Sequence, residues 1–450
     1  MKEFDLIIIG SGPGGYIAAQ RAGQLGKEVL LIEKGELGGV CTNEGCIPTK
    51  SLLNSAKLYK NALESESKGL SVKEASYNLP QAMEAKNETI NTLRSGIEFL
   101  MRSAKVTVVK GFATCVDSHT VQVDEQLYKA PYIILATGSS PILPPIEGIE
   151  LDHVLTSSEI LSLETLPETL TIIGGGVIGL EFASYFSTVG VNVTLIEMEK
   201  EIAPMMDHEI APLLRRTMKK VNFHLGSTVT KIDQKQVYFT NAKKEESTIA
   251  SEMVLVSVGR KANTAGLEQL SLTQDGAFIH VNEHLQTSIP HIYAIGDING
   301  KSLLAHSASR MADVVISNLF GKVKQQMRYE AIPWAIYTLS EASGCGLTEN
   351  QALALGRSVK TASIQMRSNG RFLAELGKRE VGLCKVVVDE HTGALLGVHL
   401  IGPYSSEIIF GAATMIEAEL RVEDIKEIVF PHPSVSEVIK DALFALDPHL

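Results

Sequence analysis

Cys41 and Cys46 stand five residues apart within GGVCTNEGCIPTK, residues 38–50. Two thiols at that separation can close a small disulfide ring and reopen it, which is how sulfur takes up and releases an electron pair. Neighbours on one helix face are three or four residues apart, so a spacing of five requires local unwinding between the thiols, which Gly45 makes easier to hold. Lys50 follows Cys46 by four residues and would lie beside it on a helix. An ammonium near a helix start stabilises thiolate, the attacking form, and Pro48 with the leading glycines suits a loop entering a helix. Three readings share this stretch: a redox dithiol, two packed core cysteines, and half of a zinc site. Zinc would need two more ligands, whereas Cys115, Cys345 and Cys384 are isolated and no histidine pair sits nearby, so no metal is expected.

A second group with chemistry lies in FPHPSVSE, where His432 precedes Glu437 by five residues. A histidine oriented by a carboxylate is a competent acid/base; a solvated histidine at a helix start has the same spacing. In HIYAIGD, Asp297 ends an apolar strand and precedes a helix, where it can accept from ligand hydroxyls or cap the helix.

These groups need a scaffold, and two segments supply matching pieces of one. LIIIG, the glycines Gly10, Gly12 and Gly15, a helical run and EVLLIE ending at Glu33 read as strand, glycine turn, helix and strand. The glycines permit the tight turn and the approach of a pyrophosphate, the helix start supplies N–H donors, and Glu33 can accept from an adenosine ribose. TLTIIGGGVIGLEFASYFSTVGVNVTLIE repeats the pattern with Gly174, Gly176, Gly179 and Glu197. Each glutamate lies 18 residues past its last glycine. An acid at Glu197 favours NAD, because it accepts from the 2′-hydroxyl and repels a 2′-phosphate.

The remaining chain reads as support. Met83, Ile90, Leu93, Ile97, Leu100 and Met101 fall on one side of a helix, and VTVVKG, FATCVD and TVQVDE alternate like a small antiparallel sheet holding Cys115. YIILATGSSP closes the region, and short strands and amphipathic helices follow Ile332, with Cys384 in a core strand. With 450 residues, 44% hydrophobic content and 37 glycines, several globular domains are expected. A formal charge of -11 argues against nucleic-acid and anionic-membrane partners. The apolar start is too short for a signal peptide or span, and five cysteines without an export signal point to a reducing cytoplasm.

Taken in order, GSGPGGYIAA, GGVCTNEGCIPTK, LATGS, GGGVIGLE, AIGD and HPSVSE resemble the pyridine nucleotide-disulfide oxidoreductases over nearly the whole chain, most closely the members that oxidise dihydrolipoamide. The resemblance implies an α/β chain with two Rossmann-like dinucleotide-binding domains and a C-terminal α+β dimerisation domain. The divisions are 1–140 for FAD, 141–268 for NAD, 269–332 completing the FAD side and 333–450 for the interface. It implies FAD on the first fingerprint, contacted by Glu33, by Thr137, Gly138 and Ser139, and by Gly296 and Asp297. NAD is implied on the second, with Gly259 also among the cofactor-binding positions and Lys50 paired with Glu181 beneath the nicotinamide. A homodimer is implied in which His432, held by Glu437, reaches the partner's Cys41–Cys46 disulfide. The implied partner is dihydrolipoamide, free or on the lipoyl domain of a 2-oxoacid dehydrogenase or glycine cleavage complex. Other flavin-dependent disulfide reductases and a redox-sensing subunit with little turnover are the alternatives, and Glu197 disfavours the NADPH-dependent ones. Two departures stand out: Leu339-Ser340-Glu341 replaces the family's His-Pro-Glu, followed by an unusual Ser343 to Gly346 run, and Glu44 beside the thiols is expected to raise the Cys41 pKa or alter docking.

Overall fold

Leu6–Ile9 is apolar at all four positions and buried on both faces, as a central parallel strand must be. In the structure, a computed structural model describing residues 2–446, this strand sits in the middle of a five-stranded parallel sheet. Val29–Glu33 and Thr107–Lys110 lie to one side, and Tyr132–Leu135 and Ile292–Ala294 to the other. The last of these strands returns to the sheet from far along the sequence, and the helix Ala305–Phe320 that follows it packs on Pro13–Gln24, the helix after the first glycine turn.

The VTVVKG segment departs from the sequence reading. Thr107–Lys110 is the edge of the parallel sheet, not part of the antiparallel one. As an edge strand it is largely exposed, so its polar alternation imitates that of an antiparallel hairpin. Ala113–Cys115, Thr120–Val123 and Gln126–Lys129 do pair antiparallel, and Cys115 is buried among them. The helix Leu79–Ser103 begins at Asn78, whose side chain accepts from the Gln81 N–H at 3.1 Å. Its buried stripe holds Ile90, Ile97 and Met101, spaced by seven and four; Leu93 falls beside that stripe and is exposed.

A second parallel sheet is centred on Thr169–Ile173 and Met253–Val256, with Asn192–Ile196, Val221–His224 and Val154–Leu155 completing it. Helix Val177–Thr188 connects Thr169–Ile173 to Asn192–Ile196 and is buried almost throughout, consistent with its apolar composition. The C-terminal unit is a five-stranded antiparallel sheet ordered Trp334–Ile336, Ala342–Gly346, Leu395–Ile401, Leu383–Asp389 and Val359–Gln365. Helices Ser405–Glu417 and Glu437–Ala445 pack on it, with Cys384 in the core between. The chain therefore has the expected fold class: two dinucleotide-binding α/β units and a C-terminal α+β unit.

The unusual Ser343 to Gly346 run now has a physical reason. Trp334 pairs across the sheet with Gly344, and a Cβ on Gly344 would lie 2.5 Å from the Trp334 ring and 2.8 Å from His399 Nδ1. The glycine thus makes room for the indole. Ser343 Oγ donates to the Ser405 carbonyl at 2.8 Å, fastening the strand to the helix behind it. We expect Gly344→Ala to destabilise the protein by about 1–3 kcal/mol, the usual range for overpacking. Thermal unfolding of Gly344→Ala, Trp334→Ala and the double variant tests this: the pair should be coupled by about 0.5 kcal/mol or more, and strict additivity would refute the steric account.

A candidate dithiol site between two glycine cradles

The break that the Cys41–Cys46 spacing demands is present. Helix Gly39–Asn43 carries Cys41 and ends at Glu44; Gly45 adopts φ -146 and ψ -103, and a new helix, Cys46–Leu63, starts at the second cysteine. Both thiols are free and half-buried, and they hydrogen-bond each other. That bond splits their acidities. Cys46 is pulled down to about 7, first by the Cys41 hydrogen bond and further by the Lys50 charge, against the opposing effect of burial. Cys41 is pushed up by the same hydrogen bond and by burial. Glu44 is not what raises the Cys41 pKa. Its Oε2 accepts from Ser158 Oγ at 3.0 Å, and the charges acting on Cys41 are those of Cys46, Lys50 and Asp297.

Lys50, one turn after Cys46, reaches into the second α/β unit. Its Nζ donates to both oxygens of Glu181 at 2.9 and 2.8 Å, and it stands 4.6 Å from the centroid of the Tyr337 ring. Glu181, buried on helix Val177–Thr188, also accepts from the Tyr337 backbone N–H at 3.0 Å. The ion pair therefore joins the dithiol helix, the helix of the second glycine turn and the start of the C-terminal unit.

The two glycine turns are built alike. Gly10 and Gly174 both have left-handed backbones, φ +98 and φ +105. A Cβ on Gly15 would lie 1.8 Å from the Gly10 carbonyl oxygen, and one on Gly179 2.1 Å from that of Gly174, so each helix can pack this closely only without a side chain. By contrast, a Cβ on Gly12 or Gly176 would meet nothing within 4 Å and would project into open space, where a phosphate can approach the backbone. Each closing glutamate is already anchored. Glu33 accepts from Ser11 N–H at 2.8 Å, Ser11 Oγ at 2.7 Å and Gly35 N–H at 2.8 Å. Glu197 accepts from Gly175 N–H at 2.5 Å and Glu199 N–H at 2.8 Å. Both carboxylates thus have fixed orientations with lone pairs left for ribose hydroxyls.

Asp297 lies just beyond Ile292–Ala294 and accepts from Ser139 Oγ at 2.5 Å. Arg260 donates to Ser139 Oγ at 2.7 Å and to its carbonyl at 2.6 Å, with its Nε 3.8 Å from Asp297. Thr137 Oγ1 donates to the Asn263 carbonyl, and Asn263 N–H to that of Gly138, so LATGS and the stretch after Gly259 are bonded together. Arg260 and Tyr337 were not singled out from the sequence. The signal for Arg260 was its place after the apolar strand Met253–Val256; Tyr337 had none beyond its aromatic ring.

One cavity of about 2310 Å³ has in its wall Cys41, Cys46, Lys50, Glu181, Asp297 and residues of both glycine turns. A single drug-sized ligand needs roughly 300–1,000 Å³, so the space suits two dinucleotides better than one. His432 and Glu437 do not line it. They form their own pair, Nδ1 to Oε1 at 3.0 Å, with His432 exposed and its Nε2 without a partner among the described residues; the Ser434 N–H and then His432 hold Glu437 below the usual carboxylate range. The arrangement so far is a close pair of free thiols, a fixed cation and two glycine turns opening on one space.

Residues 4–312 match the family described as pyridine nucleotide-disulphide oxidoreductase, and residues 332–443 match its dimerisation domain. The chain belongs to the pyridine nucleotide-disulphide oxidoreductase family. Similar members of the family include the dihydrolipoyl dehydrogenases of Bacillus subtilis (35% identical, over 99% of this chain and 98% of that one) and Thermus scotoductus (38%, over 99% and 98%). Among solved structures, the HOCl-induced flavoprotein disulfide reductase RclA of Escherichia coli, as its Cu(II) complex, superposes with a TM-score of 0.88. It is 27% identical, and the match covers 99% of this chain and 100% of that one. As a family member the protein is an oxidoreductase. Among the described residues no helix is long and apolar enough to cross a membrane. Asp207, His208 and Glu209 are close enough to share a metal ion, but the Lys385 ammonium already lies 3.1 and 2.7 Å from the two carboxylates.

The split between the thiols is measurable in the reduced protein. Alkylation mapped by mass spectrometry is expected to rise through about pH 7 at Cys46 and only at more alkaline pH at Cys41. In Lys50→Met the Cys46 profile moves to higher pH, since the lost ammonium favoured thiolate; coincident profiles for the two cysteines would contradict the assignment.

Proposed function

We propose that the protein is a dihydrolipoyl dehydrogenase, oxidising a dihydrolipoyl group through a Cys41–Cys46 disulfide and reducing NAD. The observation that carries this reading is the thiol pair beside Lys50–Glu181, in a cavity shared by two cradles that each end in an anchored glutamate. Full-length similarity to dihydrolipoyl dehydrogenases supports the substrate. The proposed division of labour follows the sequence reading: 1–140 with 269–332 for FAD, 141–268 for NAD and 333–450 for the interface.

FAD fits the first cradle, where Gly12 leaves space for its pyrophosphate, Glu33 meets its adenosine ribose and Asp297 its ribityl side. NAD fits the second, with Gly176 and Glu197 in the corresponding roles. FAD held there would supply a two-electron acceptor for the sulfur and NAD the final hydride acceptor. The residues of the chain do the rest. His432 Nε2 accepts a proton from one substrate thiol while Glu437 fixes the ring through Nδ1. The resulting thiolate attacks Cys41 Sγ of the disulfide, the Cys41–Cys46 bond breaks, and Cys46 leaves as thiolate. The second substrate thiol then attacks the substrate sulfur bound to Cys41 while its proton passes to the departing Cys41 sulfur, so the cyclic disulfide leaves with Cys41 as thiol, Cys46 as thiolate and the first proton on His432. Lys50 holds the charge that collects on Cys46, adding to the Cys41 hydrogen bond in keeping the Cys46 pKa low.

His432 is exposed and outside the cavity of its own chain, while residues 332–443 match a dimerisation domain. In the proposed homodimer each active site takes its histidine from the other subunit. Steady-state assays with dihydrolipoamide test the reading. Cys46→Ser should be inactive and His432→Gln slower by about 10²-fold, the low end for a lost acid/base. Wild type turning over no faster than these variants would leave a redox-sensing subunit as the reading. NAD is expected to exceed NADP by about tenfold or more in kcat/KM, and Glu197→Ala should narrow that gap. Refolding Cys46→Ser together with His432→Gln should restore about one quarter of wild-type activity, because half of randomly paired dimers are mixed and each has one intact site. No recovery would place His432 outside the partner's site.

A further inference from the structure

Lys385 is fully buried, with its Nζ 3.1 Å from Asp207, 2.7 Å from Glu209 and 2.7 Å from Glu349. Burial opposes the charge, yet the carboxylates outweigh it and keep the ammonium protonated. Two of these acids belong to a segment that runs on from Glu197. Glu197, Met198, Pro204 and Met205 stand in the cavity wall at the second cradle, and the Ala203 N–H donates to the Gly175 carbonyl at 2.9 Å. Ala203 is held at φ +43, a left-handed conformation that a side-chain-bearing residue adopts only when its surroundings impose it. Lys385 itself belongs to the C-terminal sheet. It lies in one cross-strand row, Trp334, Gly344, His399, Lys385 and Ser363, whose members face each other in register and therefore share a face. Trp334, at one end of the row, stands in the cavity wall, and Ser363 Oγ, at the other, donates to Glu209 at 3.3 Å.

We propose that Lys385 is a positioning residue for the nicotinamide nucleotide: through Asp207 and Glu209 it clamps the 197–209 segment from the C-terminal sheet and so sets affinity at the adenosine end of the second cradle. The inference rests on the second cradle binding NAD. Glu349 is the internal control, because it pairs with the same lysine but lies on the C-terminal unit's own helix, Glu349–Ala354.

The test uses the full-length flavin-loaded enzyme, with binding of ADP-ribose measured by calorimetry beside steady-state kinetics. Lys385→Met and Glu209→Gln are expected to weaken ADP-ribose binding and raise KM for NAD by about fivefold or more, a typical coupling between distinct groups. Their rates of ferricyanide reduction by dihydrolipoamide, which bypasses NAD, should stay at the wild-type level. Glu349→Gln should remain within about twofold, as for a partly exposed pair, and Lys385→Arg should recover part of the affinity. Lys385→Met leaves buried acids without their cation and can fail to fold; Glu209→Gln, with a partly exposed side chain, then decides the matter. Unchanged ADP-ribose affinity in folded Glu209→Gln, while Glu197→Ala loses affinity, overturns the clamp alone. Absence of ADP-ribose binding to wild type overturns the clamp and the NAD reading together.

Discussion

The Lys50–Glu181 ion pair is the constraint on which the site turns. Glu181 is buried, and a carboxylate there is tolerable only because an ammonium and the Tyr337 N–H meet it; removing one partner of such a pair typically costs about 3–5 kcal/mol. The same contact has a chemical effect, since it fixes a positive charge one helical turn from Cys46. It also decides relative placement: the helix bearing the thiol and the helix bearing the second glycine turn cannot separate without stranding that carboxylate. Structure and reactivity are therefore set by one contact.

Around it, the chain solves one problem twice. A dinucleotide phosphate must approach a backbone, so each cradle contains one glycine whose missing Cβ leaves open space and another whose missing Cβ lets a helix press against a carbonyl. Each also ends in a glutamate tied down by backbone N–H groups before any ligand arrives, which removes the freedom that a ribose hydroxyl would otherwise have to quench. The likeness extends to bond partners that no spacing rule encodes.

Much of this was legible in the sequence for identifiable reasons. The glycine spacings and the five-residue gap between the thiols translate directly into backbone geometry, so the turns, the interrupted helix and the Lys50 placement followed from local rules. What failed or stayed hidden depended on distant neighbours. Thr107–Lys110 looked antiparallel because an edge strand and a hairpin strand share the same polar alternation, and only its partner, Val29–Glu33, distinguishes them. Glu44 was assigned to the thiols by adjacency, whereas its side chain turns to Ser158, 114 residues later. Arg260 and Lys385 were invisible because their meaning lies in the groups that fold around them, Ser139 and Asp297 for one and Asp207, Glu209 and Glu349 for the other.

The exchange of bulk between Trp334 and Gly344 reaches beyond packing. The chain has a single tryptophan, and its indole stands in the wall of the cavity between the cradles. Tryptophan emission, excited selectively over the 11 tyrosines, therefore arises from one known position, and its colour follows how wet and how crowded that position is. Filling or emptying of the cleft can be watched in unlabelled protein, with light alone.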